Sequence, residues 1–292
     1  MKKHSDELGQ ALRKSNVQVL NLRAIKLTGL YLDNFIQHLK YINLEKIQFF
    51  MNKLNDQDLT KLGLALNGSK IKEIDFELCE LQNIGFKSFV TSLKETQVKT
   101  LNLSNNEIIL TCAKDLGFYL QGTPVQKLIL NLNKLSDQGV HDLIVGLKGT
   151  NIYILELRAN NISKISGEDI RQAIKESHLH TIIVNQNYME NEDVYNFLMS
   201  LQDTQVHTVD LSNNNIKSVG LTKIISALGE TNIHTLFLNN NFIYDSGAEI
   251  LDLMLGDTKI RRISLRFNGI SEDILNIGYQ KLRANHPNIR FD

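Results

Sequence analysis

Apolar residues recur along this chain in a fixed frame. The string Val98-Lys99-Thr100-Leu101-Asn102-Leu103-Ser104-Asn105-Asn106-Glu107-Ile108 returns 108 residues later as Val206-His207-Thr208-Val209-Asp210-Leu211-Ser212-Asn213-Asn214-Asn215-Ile216. The same frame opens at Val17, Leu44, Ile71, Val98, Val125, Ile152, Leu179, Val206, Ile233 and Ile260, always 27 residues apart, without insertion or deletion. A period of that size, kept over ten copies, marks a stack of repeated units. Numbered from its first apolar residue, each copy has apolar side chains at positions 1, 4 and 6. Residues two apart on an extended chain point to one side, so positions 4 and 6 predict a short strand with one buried face. Positions 16, 19 and 23 are mostly apolar, as in Val140, Leu143 and Leu147. Spacings of three and four place them on one face of a helix.

Position 9 is Asn in eight copies: Asn52, Asn106, Asn133, Asn160, Asn187, Asn214, Asn241 and Asn268. A turn after a strand leaves backbone groups without partners, and an inward-facing amide can both donate to and accept from them. Stacked copies then make a structural Asn ladder. Position 13 supplies candidate helix N-caps in Asp56, Asn83, Asp137, Asn191, Ser218 and Asp245. Position 26 is mostly Thr or Ser, a hydroxyl suited to ending the helix before the next strand. A unit of strand, Asn turn, helix and return cannot cover its own apolar side, so it must stack. Leu8, Leu12 and Ser15 fit positions 19, 23 and 26 of a preceding copy. Ile289 and Phe291 fit positions 4 and 6 of an eleventh, one residue early. The expected organisation is a single domain over 1–292: a half-repeat helix cap over 1–16, repeats over 17–286 and a cap strand over 287–292.

The string L-x-x-L-x-L-x-x-N/C-x-L with a helical return resembles the leucine-rich repeat. The 27-residue period, with Gly at position 15 in Gly85, Gly139, Gly220 and Gly247, is similar to the ribonuclease-inhibitor-like subfamily. The resemblance implies an α/β solenoid, a horseshoe with parallel strands on its concave face and helices on its convex face. Elementary packing agrees. Strands repeat at about 4.8 Å and packed helices at about 8–10 Å, so the stack must curve toward its strands. An array of regular repeats also resembles the effectors that intracellular bacteria inject into host cells, which implies a virulence role inside a host cytosol.

Composition narrows the chemistry. The 32 Lys+Arg balance 32 Asp+Glu, which argues against a general nucleic-acid binder, because such affinity leans on Lys and Arg neutralising phosphates. Met1-Lys2-Lys3 mimics a charged leader, but the polar stretch after it holds no apolar core. No run approaches the roughly 20 apolar residues of a membrane span. A soluble, cytoplasmic protein is the expectation. Motifs for a nucleophile elbow, a phosphate-binding loop, a dinucleotide fold or a zinc protease are absent, so neither an enzyme nor a cofactor is expected. Cys79 occupies a ladder position, and Cys112 replaces the position-15 Gly; both read as structural filler. His180, His207 and His234 share position 2 of three consecutive copies. The sharp reading of that row is a metal site or a protonation switch. The plain reading, preferred because no carboxylate shares the row, is a solvated sheet edge continuing into Arg261.

With positions 4 and 6 inward, positions 3, 5, 7 and 8 face the cavity. Lys46, Gln48, Phe50, Met51, Glu73, Asp75 and Glu77 stand near its start. Ile129, Ile154, Glu156, Arg158 and Ile183 hold the middle, with Phe237 beyond. Arg262, Arg266 and Phe267 lie near the end. An acidic end, an apolar middle and a basic end imply a groove for a protein partner, since variable residues on a constant frame present a binding surface and exposed apolar groups in a polar rim mark contacts. The alternatives carried by the resemblance are a GTPase-activating-protein-like regulator and an inhibitor of an enzyme, of the ribonuclease-inhibitor kind. No catalytic loop residue of such a regulator is matched to a position here, so the resemblance carries none over.

Overall fold

The computed structural model describes residues 2–81, 83–106, 108, 110–270 and 284–292, with the side chains of 2–4, 83, 84, 110–112 and 114 excepted. Cys112, Asn83 as a cap, and the helical half of the tenth copy therefore lie outside what is described. Eleven strands form one sheet in strict sequence order. They are β1 (Val19–Asn21), β2 (Lys46–Gln48), β3 (Glu73–Asp75), β4 (Thr100–Asn102), β5 (Lys127–Ile129), β6 (Ile154–Glu156), β7 (Thr181–Ile183), β8 (Thr208–Asp210), β9 (Thr235–Phe237), β10 (Arg262–Ser264) and β11 (Arg290–Phe291). Every pairing is parallel, and from β1 to β10 each residue pairs with the one 27 positions on, as Leu101 with Leu128 and Leu155 with Ile182. A helical segment follows each strand from β1 to β9, for example Asp56–Ala65, Ser136–Gly146 and Tyr244–Met254. Parallel neighbours need such a crossover.

The core is a continuous column between sheet and helices. Position 4 from Ile47 to Ile263 and position 6 from Leu22 to Leu265 are buried. Phe49 stacks on Phe76 at 5.4 Å, and Phe76 meets Phe89 edge-on at 5.0 Å. The first coil is the exception to the expected frame: Val17 is exposed and Leu20 only half-buried, because no strand precedes β1 in the sheet. The helix Lys2–Arg13 covers part of that end, burying Leu12.

The Asn ladder is the inner frame. Asn52, Asn106, Asn133, Asn160, Asn187, Asn214, Asn241 and Asn268 are all buried. Asn187 shows the pattern. Its Oδ1 accepts from the N–H of Asn160 at 2.9 Å and of Ile162 at 3.0 Å. Its Nδ2 donates to the carbonyls of Leu157 at 3.1 Å and Val184 at 2.9 Å. One side chain thus closes its own turn and the turn before it. Two rungs differ. Cys79 donates from Sγ to the Phe49 carbonyl at 3.1 Å, as an Nδ2 would, but brings no oxygen. The Asn52 N–H turns instead to Phe49 O, at 3.0 Å. Burial pushes the Cys79 thiol up to about 12, which makes it inert. Asn160 Oδ1 has no partner. The fifth and ninth coils share a turn of their own: Ser136, at φ 54°, donates its N–H to the Asn160 carbonyl at 3.0 Å, and Tyr244, at φ 51°, donates its N–H to the Asn268 carbonyl at 2.9 Å.

Position 26 behaves as expected. Its hydroxyl returns to the carbonyl of position 23, as Thr150 to Leu147 at 2.8 Å and Ser177 to Ile174 at 2.8 Å. Position 13 does not. Asp56 begins its helix one residue after the true cap, Asn55, which accepts from the Asp58 N–H at 2.9 Å. Asp137 instead accepts from the backbone of the next coil, Ser163 N at 2.7 Å and Lys164 N at 2.9 Å, and Asn191 accepts from Lys217 N at 2.8 Å. Ser218 opens a short helical turn and Asp245 lies inside a helix. These polar side chains staple consecutive coils. Gly at position 15 has a steric reason: a Cβ on Gly85 would lie 2.2 Å from Asp56 Cα. The last strand corrects a second expectation. Phe291 pairs with Ile263, so it fills position 4, and Ile289 lies outside the strand.

Candidate functional site

On the open side of the sheet, positions 3 and 5 form two rows running across the strands. Their residues are half-buried throughout β2 to β9, whereas position 4 between them is buried. Row 3 reads Lys46, Glu73, Thr100, Lys127, Ile154, Thr181, Thr208, Thr235 and Arg262. Row 5 reads Gln48, Asp75, Asn102, Ile129, Glu156, Ile183, Asp210, Phe237 and Ser264.

At the early end the carboxylates are already matched. Lys46 pairs with Glu73 at 2.9 Å. Asp75 accepts from Gln48 Nε2 at 3.2 Å and Asn102 Nδ2 at 3.0 Å. Burial and the neighbouring Asp75 raise the Glu77 carboxyl above its usual range, against the pull of Arg23. Arg23 also lies over the Phe50 ring at 4.4 Å, and Met51 is exposed on the turn beside it.

The middle of the face is a checkerboard. In row 5, Glu156 stands between Ile129 and Ile183. It is held by Lys127 Nζ at 2.7 Å and Asn131 Nδ2 at 3.0 Å. Ile154 lies diagonally in row 3, and Arg158, exposed, donates to Gln186 at 2.6 Å. The three isoleucines are therefore near one another but divided by an ion pair. Asp210 follows, between Ile183 and Phe237. Burial raises its carboxyl above the usual carboxylate range, although it accepts from Ser212 N at 2.9 Å. Asp210 escaped the sequence reading; its signal is an acid at position 5 with apolar residues on either side.

At the late end, Arg262 lies over Phe237 at 5.2 Å and pairs with Asp292, which also accepts from Arg290 at 2.7 Å. Those arginines hold the Asp292 carboxyl below its usual range. Arg266 and Phe267 are exposed, the phenylalanine 78% so. The contrast between an acidic and a basic end is thus smaller than the sequence implied, because Lys46 and Arg23 temper one and Asp292 the other.

No protein-family model and no curated protein matches the chain. Among solved structures it is similar to internalin C2 from Listeria monocytogenes, at 20% identity over 79% of this chain and 91% of that one, with a TM-score of 0.47. The fold is a leucine-rich-repeat solenoid. The 27-residue pitch, the single all-parallel sheet and the buried Asn ladder decide it. Of the side chains expected to face the cavity, those at positions 3 and 5 stand in the two rows above, and Phe50, Met51, Glu77, Arg158 and Arg266 follow them in the turns, half-buried or exposed.

The histidine row stacks as expected. His180 and His207 ring centroids are 5.3 Å apart, and His207 and His234 lie parallel at 4.7 Å. Parallel rings direct their lone pairs side by side, not toward one point. Among the described residues no three His, Cys, Asp or Glu side chains are placed to hold a metal ion. The imidazoles are half-buried, so the edge is less solvated than the plain reading held. No helix among the described residues is long and apolar enough to cross a membrane.

Proposed function

We propose that the open sheet face is a binding surface for a protein partner, and that the solenoid acts by occupying that partner rather than by chemistry. The observation that carries this reading is the division of labour along each strand. Position 4 is buried while its neighbours at 3 and 5 are half-exposed, with position 5 changing in every coil from Gln48 to Ser264 and position 3 varied except for the run Thr181, Thr208 and Thr235. Ile129, Ile154, Ile183 and Phe237 supply apolar contact, and Arg158 and Arg266 supply the guanidinium groups favoured in interface anchors. Phe50, Met51, Glu77 and Asp210 extend the same surface. The pitch and helical returns support a place in the ribonuclease-inhibitor-like subfamily. Similarity to arrays injected by intracellular bacteria supports an effector role in a host cytosol.

Pull-downs from host cytosol test the reading, with Glu77→Lys and Arg158→Glu as paired reversals. A partner should be retained by the wild-type chain and lost with either reversal. Retention by both would contradict the use of this face.

A further inference from the structure

Seven histidines have described side chains, and they divide by partner. His38 bonds Asp6 at 2.8 Å, His141 bonds Asp169 at 2.6 Å, and His286 lies 3.9 Å from Asp252. His178, His180, His207 and His234 have no carboxylate partner among the described residues. These four gather at one place, the rim where the strands begin. The cause is the repeat itself: His207 N donates to His180 O at 3.0 Å, and His234 N donates to His207 O at 3.0 Å. Consecutive backbones in register bring the imidazoles to within about one strand spacing of each other.

The hydrogen bonds assign part of the protonation. His178 Nδ1 faces the Thr150 carbonyl at 2.8 Å, and His180 Nδ1 faces the His178 carbonyl at 2.5 Å. A carbonyl only accepts, so both Nδ1 atoms carry a proton. His207 and His234 turn Nδ1 to Thr208 and Thr235 hydroxyls, at 3.0 and 3.3 Å. In all four rings Nε2 has no hydrogen-bond partner among the described residues. His178, His180 and His207 also line a shallow cleft of about 430 Å³ with Tyr153, Gln126 and Asn151. Arg261 continues the row, its N–H donating to the His234 carbonyl at 2.8 Å, and Arg290 follows on β11, donating its N–H to the Arg261 carbonyl at 2.7 Å; in the other direction the row runs through Tyr153 and Gln126 to Lys99. Asp292, the acid at that end, is engaged by Arg262 and Arg290.

We propose that this rim, from His178 through His180, His207 and His234 to Arg261, is a proton-coupled site for a carboxylate-rich segment of a protein partner. Adjacent imidazolium rings repel one another. Burial and then the neighbouring His234 and His180 hold His207 below its usual range. A bound anion removes that repulsion. Each Nε2 that takes a proton becomes a donor to a carboxylate, so binding and proton uptake reinforce each other. Nucleic acid is disfavoured because its affinity draws on many phosphate contacts by Lys and Arg, and here the uncharged Tyr153 and Gln126 separate the histidines from the next cation of the row, Lys99. The site rests on the rim alone, so it can fail while the open-face reading stands.

The test uses a fluorescent oligo-aspartate peptide, whose carboxyls stay ionised well below the histidine range. Anisotropy is read at about pH 7.5 and about pH 5.5, on either side of the ordinary imidazole value near 6.5, at constant salt. Wild-type affinity should tighten by about tenfold, the equivalent of one unit of imidazole shift. The triple variant His180→Gln, His207→Gln, His234→Gln should lose that gain, and Arg261→Gln should weaken binding at both pH values. His207→Gln alone provides the reading if the triple variant does not fold. Calorimetry in two buffers of different ionisation heat should show net proton uptake. Affinity independent of pH, or a gain that survives in the glutamine variants, would overturn the proposal. So would equal binding of a single-stranded oligonucleotide of the same charge.

Discussion

The ladder wall and the open face are built from the same coils, four to six residues apart in each, and they obey opposite rules. On the ladder side one residue type recurs, every amide is buried, and its bonds reach into the coil before it. On the open face no residue type recurs along a row for long, and side chains pair with whatever the next coil offers, such as Lys46 with Glu73 or Lys127 with Glu156. A buried backbone group tolerates one solution, because an unpaired one costs about 1–3 kcal/mol. A half-exposed ion pair is screened and worth about 0–1 kcal/mol. Stability is therefore concentrated on one wall, which leaves the other free to vary.

The comparison breaks most visibly at the ladder. Asn187→Ala would strand the Asn160 and Ile162 N–H groups and the Leu157 carbonyl. A loss of about 4 kcal/mol is expected in urea unfolding, from buried groups left unpaired. Leu155→Ala, which empties a fully buried position 4, should cost about 2–5 kcal/mol. A ladder substitution costing under about 0.5 kcal/mol would place it among ordinary surface changes and remove the frame from the account.

Cys79 allows the opposite experiment. Cys79→Asn would restore an oxygen where the Asn52 N–H now turns to its own coil. A gain of about 1 kcal/mol is expected, the usual net value of an added hydrogen bond. Destabilisation would mean that the thiol is matched to its rung and the gap is not a defect.

The effect of pH is smaller. His207 is held below its usual range by burial and by its two neighbours. The unfolded chain takes a proton near pH 6.5, while the folded chain takes it only at lower pH. Falling pH in that window therefore favours the unfolded chain, and stability drops. His207→Gln should flatten the decline in melting temperature between about pH 7 and pH 5. Parallel curves for both proteins would separate the row from acid unfolding. Smallest of all, Arg158→Glu on the open face should shift stability by less than about 0.5 kcal/mol, measured in the same urea titration.

Much of the frame was legible because a 27-residue period reports burial directly: an apolar position 4 and an Asn at position 9 have the same surroundings in nearly every coil. Lys46 and Glu73 hold position 3 of consecutive copies, so their contact follows from the register as well. Other features depend on neighbours that the period does not specify. Asp137 looked like a helix cap but reaches the next coil. The Leu135–Ser136 turn departs from the frame although its sequence keeps the pattern. Glu156 divides the isoleucines because Lys127 lies on the diagonal, a relation hidden when positions are read one column at a time. Phe291 joins the sheet one residue beyond the 27-residue spacing, pairing 28 positions from Ile263.

Carboxyl footprinting of the chain with its captured partner tests the central claim most directly. Glu77 and Glu156 on the open face should lose reactivity on binding, while Glu168 and Asp203, exposed on the helical side, should label as before. Protection of the helical carboxyls with Glu77 and Glu156 unchanged would contradict the account.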